Sequence, residues 1–341
     1  MKAAGRDFQV FVKPVGARCN MSCTYCYYTD KVTLQGENHE AFIPGDILEE
    51  YIRQHIAATP GNVIQFSWHG GEPLLAGLDY FRKIRELQKK HLVAGKHLLN
   101  GIQTNGLLID DDWCRFFADN NFLIGLSMDG PSFLHDIYRR KVNGEPAFSR
   151  VKESYLLLGD YSIRTEILCT VNADNVMYPV QVYEFFRALG AGYITFIPVV
   201  EREDDGRVAG YTVPPEDYGA FLCTVFDLWK ANDIGRIKIQ IFEEALRTAF
   251  RQDHTLCIFK KTCGGVPVLE LNGDVYSCDH FVDSEHLLGN VRKKTLTEML
   301  DSGQQREFGD NKLTSLPAYC LDCVVRDMCN GGCPKNRVEK T

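Results

Sequence analysis

Ten of the thirteen cysteines fall into three groups whose spacing suits metal chemistry. Cys19, Cys23 and Cys26 read C-x3-C-x2-C. Cys257, Cys263 and Cys278 come much later, followed by Cys320, Cys323, Cys329 and Cys333. Thiolates are the preferred ligands of iron–sulfur clusters. Three of them hold three corners of a four-iron cube and leave the fourth iron open to a ligand that is not protein. An open position marks a reactive metal, whereas a structural zinc takes four ligands. The first group becomes a zinc site only with a fourth donor such as His39. For the later groups a zinc ribbon is the alternative, since Cys320-x2-Cys323 by itself is a zinc half-site. Residues 1–16 lack the apolar stretch and cleavage site of a secretory signal. The thiols are therefore expected to be reduced, in a cytoplasmic chain. Cys114, Cys169 and Cys223 stand alone in apolar segments and are expected to be small buried hydrophobes.

The elements that must position these groups follow from the apolar pattern. The 341 residues, 45% hydrophobic and 24% charged, are ordinary for a globular protein of about two domains. A net charge of −7 argues against a nucleic-acid partner, which needs a basic face. No apolar run approaches the length of a membrane span. Strands are predicted over 8–12, 63–68, 98–103, 122–127, 165–171 and 193–198, from β-branched and aromatic runs, several of which end in Gly or Asn turn signals. Helices are predicted over 46–58, 80–91, 111–120, 149–159 and 175–189. Strand–helix alternation of this kind implies a parallel sheet with right-handed crossovers, open or barrel-like. After 198 the pattern changes. Two further helices are expected, one from Pro214-Pro215 to about 229 and one over about 242–251. A loop-rich remainder follows, with a hairpin at Asn272-Gly273. The domain boundary is placed at 235/236.

Several motifs lie at the ends of the predicted strands, where α/β barrels build their sites. Gly70-Gly71-Glu72-Pro73 follows the second strand. Paired glycines let backbone approach a ligand closely, although a plain turn explains them equally well. Gln103-Thr-Asn-Gly106 ends the third strand and Ser127-Met-Asp-Gly130 the fourth, and both are also strong turn formers. Arg139, beside Arg140 and Lys141, is either a carboxylate clamp or a solvated helix-end charge.

With Tyr25 before its last cysteine, the first motif resembles the signature of the radical S-adenosylmethionine enzymes. The resemblance implies a partial (β/α)6 barrel. It also implies a 4Fe-4S cluster whose open iron is chelated by S-adenosylmethionine, and cleavage of that cofactor to a 5′-deoxyadenosyl radical. Gly70, Gly71 and Glu72 would hold the methionine amino group. Tyr25, Ser127, Arg139 and Val200 match further cofactor contacts. The later cysteines resemble a SPASM extension with two auxiliary 4Fe-4S clusters. Cys257, Cys263, Cys278 and Cys333 match the ligands of the first, and Cys320, Cys323 and Cys329 those of the second. The family's second cluster takes one more cysteine downstream, and the chain, which stops at Thr341, is expected to be truncated there.

Over nearly its whole length the sequence is similar to the anaerobic sulfatase-maturating enzymes, through residues 19–27, 68–77, 103–110, 125–131 and 276–279. These oxidise a Cys or Ser in a Cys/Ser-x-Pro-x-Arg motif of an unfolded sulfatase polypeptide to Cα-formylglycine, with a reducing electron donor. Asp279 matches the family's catalytic base, which takes the thiol or hydroxyl proton; by itself it reads as a turn Asp. His280 is the alternative base. Tyr27 and Tyr28 are expected to line the cofactor loop. Two other functions compete: a SPASM maturase that crosslinks a ribosomal peptide, and a cluster- or zinc-binding scaffold without chemistry. The cluster motif starts at Cys19, which leaves no room for the peptide-recognition domain of the crosslinking enzymes.

Overall fold

The computed structural model describes residues 2–28, 31 and 42–338. His39 lies outside them. One ten-stranded sheet runs through the molecule. Its parallel body comprises β1 (Phe11–Val12), β2 (Val63–Trp68), β3 (His97–Thr104), β4 (Phe122–Ser127), β5 (Thr165–Val171), β6 (Tyr193–Pro198) and β7 (Lys238–Ile239). Neighbours in that series pair parallel and in sequence order. On the other edge β8 (Val268–Leu269) pairs parallel with β1, and β9 (Asp274–Tyr276) and β10 (Leu287–Asn290) continue antiparallel. The sheet is curved but not closed into a barrel, because β7 and β10 are its two free edges.

The crossover helices are α1 (Gly45–Ala58), α2 (Leu78–His91), α3 (Asp111–Asp119), α4 (Ser132–Tyr138), α5 (Phe148–Asp160), α6 (Pro179–Ala188), α7 (Pro215–Asn232) and α8 (Gln240–Ala249). Each buries one stripe on the sheet, as helical periodicity requires. In α1 that stripe is Leu48, Tyr51, Ile52 and His55, and in α3 it is Trp113, Phe116 and Phe117. The side chain of Asp110 caps α3 by accepting from Trp113 N at 2.9 Å. The helix expected over 175–189 is two pieces, a 3₁₀ turn at Asn175–Met177 and then α6. Pro179 is the reason. The residue before a proline is driven out of the helical region, and Tyr178 has φ −127° and ψ 46°.

The remaining helices are α9 (Leu296–Leu300), α10 (Gly303–Thr314), α11 (Ala318–Leu321) and α12 (Arg326–Cys329). A capping box of Thr295 and Glu298 starts α9. Cys114 and Cys169 are buried as expected, but Cys223 is exposed, which corrects the reading from apolar context. The buried stripe of α7 is Phe221, Val225 and Trp229, spaced by four, and a residue two positions from Phe221 points the other way.

Candidate active site

The first cysteine loop leaves β1 and is strapped down at both flanks. Ser22 N donates to Arg140 O at 2.8 Å and Thr24 N to Tyr138 O at 3.1 Å, while Met21 bridges Lys141. On the other flank Gly71 N donates to Gly16 O at 2.9 Å and Glu72 N to Arg18 O at 2.8 Å. These contacts explain the paired glycines. A Cβ at Gly71 would lie 2.1 Å from Arg18 O, and one at Gly70 2.9 Å from Gly16 O, with Gly70 at φ +133°. The close approach made possible here is that of the chain's own cysteine loop. Glu72 is fully buried. Its carboxylate accepts from Leu74 N (3.0 Å), Thr104 Oγ1 (2.8 Å) and Asn105 N (2.8 Å), tying the turn to the end of β3. Burial pushes Glu72 up to about 7 against the pull of these hydrogen bonds. Asn105, held in this way, donates to Cys19 Sγ at 3.6 Å.

Cys19, Cys23 and Cys26 are free and half-buried. Burial pushes the Cys19 thiol up to about 12 and Cys23 to about 11, and the neighbouring thiols push both the same way. Three thiols that act on one another in this way need a cationic partner once ionised, and the core of an iron–sulfur cluster is one. The donor set therefore fits the cluster. The thiols sense one another, yet among the described residues no three His, Cys, Asp or Glu side chains close on a single ion.

One wall of the site stands at the end of β4. Asp129 is buried and its two oxygens are fully used. Oδ2 accepts from Arg139 Nε at 2.9 Å and from the Tyr25 hydroxyl, and Oδ1 accepts from Thr170 N at 2.9 Å. Arg139 also donates to Thr170 Oγ1 at 2.9 Å and lies over the Tyr25 ring. It is 8% exposed, so the reading as a solvated charge fails. Arg139 enters on the turn after α4, which folds back under the strand ends. Ser127, the last residue of β4, is buried two positions before Asp129.

The opposite wall comes from the C-terminal half. Asp279 is buried beside the cysteine loop. Its Oδ2 accepts from the Tyr27 hydroxyl at 2.7 Å and faces Lys13 Nζ at 3.7 Å, and its Oδ1 receives the Cys278 thiol at 3.6 Å. Burial works against its charge, but His280, Lys13, His69 and the Tyr27 hydrogen bond outweigh it and hold the carboxyl far below the usual range. The expected turn Asp is thus a buried anion facing the ammonium of Lys13. His69 is stacked on Phe11, 4.4 Å between ring centres, and burial pushes it down to about 3. His280 packs on the Tyr27 ring at 4.5 Å, and burial lowers it as well. Tyr28 points to the same side, its hydroxyl on Glu270 and its ring under Lys13.

Among the later cysteines Cys257 keeps an exposed face and Cys263, Cys278 and Cys333 are half-buried, and loss of water around the sulfurs raises all four thiols, Cys257 to about 11. Cys333 acts on each of the other three through its charge, so the four form one group. Helix α10 builds their enclosure. Buried Lys312 donates to Cys257 O (2.9 Å) and Ile258 O (2.8 Å). A Cβ at Gly309 would lie 2.7 Å from Cys263 O. Cys320, Cys323 and Cys329 sit on the short segment of α11 and α12, half-buried. Val200, after β6, accepts at its carbonyl from Lys335 Nζ at 2.5 Å, and Lys335 also pairs with Glu201. The residues that sequence reasoning missed are Asp129, Lys13, His69, Glu270 and Asn105. Asp129 lay inside a motif already noted, and a charged residue in a strand-end turn was the available signal. Lys13 had a weaker one, a lysine directly after an apolar strand.

The comparisons with known proteins agree with this geometry. The Radical SAM superfamily matches residues 14–185, and SPASM, an iron-sulfur cluster-binding domain, matches 257–324. A radical SAM barrel followed by a SPASM domain is the class that fold and site define, and both domains imply four-iron clusters. Within it, the chain belongs to the anaerobic sulfatase-maturating enzymes. It is 43% identical to a serine-type member from Bacteroides thetaiotaomicron, over 98% of this chain and 84% of that protein. It is 32% identical to a cysteine-type member from Clostridium perfringens, over 97% and 90%. The solved structure of native anSMEcpe with bound AdoMet and Kp18Cys peptide superposes with a TM-score of 0.88 at 31% identity, covering 98% of this chain and 91% of that one.

Proposed function

We propose that this chain oxidises a Ser or Cys side chain in a Ser/Cys-x-Pro-x-Arg segment of an unfolded sulfatase polypeptide to Cα-formylglycine. One observation carries the reading. Tyr27, next to the cluster residue Cys26, hydrogen-bonds Asp279, next to Cys278. A buried carboxylate is thereby placed between the first cysteine group and the later one. That is where a base must sit to take the proton of a side chain undergoing radical oxidation.

Cys19, Cys23 and Cys26 would hold the reactive cluster, and Cys257, Cys263, Cys278 and Cys333 an auxiliary one, with Cys320, Cys323 and Cys329 contributing to a second. When bound, the first cluster and S-adenosylmethionine supply a 5′-deoxyadenosyl radical that removes a hydrogen atom from the target Cβ. The chain's own residues do the rest. Tyr25, Ser127, Arg139 and Val200 line the cofactor side, together with the backbone of Gly70, Gly71 and Glu72. Asp279 Oδ1 accepts the hydroxyl or thiol proton. The substrate radical's remaining electron would pass to the auxiliary cluster that Cys257, Cys263, Cys278 and Cys333 would hold. A Cys target's thioaldehyde would be hydrolysed by water with release of sulfide. An external reductant supplies electrons. The partial barrel over 1–235 binds the cofactor and 236–341 the auxiliary clusters, the two joined by pairing of β1 with β8 and of β6 with β7. Cytoplasmic action on a nascent client fits this role, and among the described residues no helix is long and apolar enough to cross a membrane.

The test is anaerobic reconstitution with iron and sulfide, followed by S-adenosylmethionine, reductant and either peptide. Higher identity to the serine-type relative makes the Ser peptide the first to assay. Aldehyde formed together with 5′-deoxyadenosine is the expected result. 5′-Deoxyadenosine with an unchanged peptide would reject the substrate and point to peptide crosslinking, and no binding of S-adenosylmethionine would point to a scaffold.

A further inference from the structure

Lys13 is fully buried, yet its Nζ has no hydrogen-bond partner among the described residues. A sealed ammonium without partners is costly unless charge nearby compensates it. Its surroundings supply three such contributions. Asp279 Oδ2 lies at 3.7 Å, the Tyr28 ring centre at 4.0 Å, and the buried carboxylate of Glu270, which accepts from the Tyr28 hydroxyl, also senses it. The lysine follows β1 directly. Its backbone is fixed on both sides, Lys13 N donating to Leu269 O at 3.0 Å and Lys13 O accepting from Gly16 N at 3.1 Å. The ammonium is thus fixed in the seam between β1 and β8, behind Asp279.

The two oxygens of Asp279 are treated differently. Oδ2 accepts from the Tyr27 hydroxyl and faces the Lys13 ammonium at 3.7 Å, whereas among the described residues Oδ1 receives only the Cys278 thiol. When Cys278 is a cluster ligand that thiol proton is gone, and Oδ1 has no donor left. We propose that Lys13 is a positioning residue: with Tyr27 it clamps Oδ2, and so presents Oδ1 to the target side chain. Lys13 being sealed from solvent, it acts through Asp279 rather than on the peptide. The inference rests on the reading of Asp279 as the base.

The test compares reconstituted wild-type enzyme with Lys13→Met, Lys13→Arg and Asp279→Asn. It follows aldehyde and 5′-deoxyadenosine, and measures peptide affinity separately by anisotropy of a labelled peptide. A mis-set catalytic group loses about 100-fold in rate. Lys13→Met is expected to lower kcat for aldehyde by about that factor. KM and peptide affinity should stay unchanged, with 5′-deoxyadenosine released in excess over aldehyde. Lys13→Arg, which keeps the charge, should recover part of the loss. Wild-type kcat in Lys13→Met, with Asp279→Asn inactive, overturns the proposal and leaves the base assignment intact. Wild-type activity in Asp279→Asn overturns the base assignment itself. Should Lys13→Met fail to take up its clusters, Lys13→Gln, polar but uncharged, decides in its place. Excess 5′-deoxyadenosine over aldehyde supports the clamp, and wild-type coupling rejects it.

Discussion

Two buried aspartates face the cysteine loop from opposite sides, and they are built from the same parts. Asp129 takes a cation, Arg139, and a hydroxyl from the loop, Tyr25. Asp279 takes a cation, Lys13, and a hydroxyl from the loop, Tyr27. Tyr25 and Tyr27 are two residues apart and flank Cys26. The difference lies in saturation. Asp129 also accepts from Thr170 N on its second oxygen, so both oxygens are bound by well-placed donors. Asp279 has its short hydrogen bond and its ion pair on the same oxygen. A saturated carboxylate is a fastener, since any proton arriving there must displace a charge-assisted bond. A half-saturated one keeps an acceptor for chemistry. The same ingredients therefore make a structural joint on the barrel side and a candidate base on the SPASM side.

The comparison is broken most severely at the base. Asp279→Asn keeps the shape and removes the acceptor charge. Loss of a general base lowers rates by about 100- to 10,000-fold. The expected outcome is aldehyde formation reduced by that factor while 5′-deoxyadenosine still forms, read by mass spectrometry of the peptide and chromatography of the nucleoside. Asp129→Asn should behave in the opposite sense. Breaking a buried ion pair costs roughly 3–5 kcal/mol, because the remaining charge is left without compensation. Arg139 is the group left behind, so urea denaturation should show the loss in stability, and S-adenosylmethionine affinity should fall with it. If Asp129→Asn instead leaves stability intact and abolishes coupling alone, the division between fastener and base is wrong.

A third substitution separates the two halves. Gly71→Ala places a methyl 2.1 Å from Arg18 O, so the cysteine loop must shift as a body. The α10 enclosure of the later cysteines does not touch Gly71. Iron analysis with electron paramagnetic resonance should show the first cluster lost and the auxiliary signal kept. Loss of both signals together would mean that the two regions fold as one unit.

These contrasts explain what was legible in the sequence. Strands β2, β4, β5 and β6 match the predicted spans to the residue, since each is a run rich in β-branched and aromatic residues and the first three are stopped by a turn signal. The cysteine groups were visible because their spacing is local, whereas Asp279 by itself reads as a turn Asp and stood out only through the family resemblance. The partners of Asp279 were not visible. Tyr27 lies 252 positions away, and Tyr28 reaches Glu270 across 242. Such pairs depend on β8 docking against β1, and a two-residue strand leaves no periodic trace. Arg139 was ambiguous for a related reason: Arg140 and Lys141 beside it are half-buried or exposed, and only the fold shows that one of the three turns inward. The hairpin at Asn272-Gly273 was foreseen, but its continuity with the barrel sheet depends on the same docking.

The smallest effect is expected from the two tyrosines, and it sharpens the comparison most. Each loses one hydroxyl on substitution by phenylalanine, and a hydrogen bond of this kind is worth about 1 kcal/mol net. Tyr25→Phe removes one of three donors from Asp129 and leaves Arg139 and Thr170 in place. Stability should fall by about 1 kcal/mol, with the ratio of 5′-deoxyadenosine to aldehyde unchanged. Tyr27→Phe removes the only short bond to Asp279 Oδ2 and leaves the ammonium of Lys13 at 3.7 Å, too long to orient the carboxylate alone. Its stability loss should be similar, but 5′-deoxyadenosine should now exceed aldehyde. Equal coupling in the two variants would show that the Tyr27 hydroxyl does not orient the base. Uncoupling in Tyr25→Phe as well would mean that the Asp129 wall also reaches the reacting side chain.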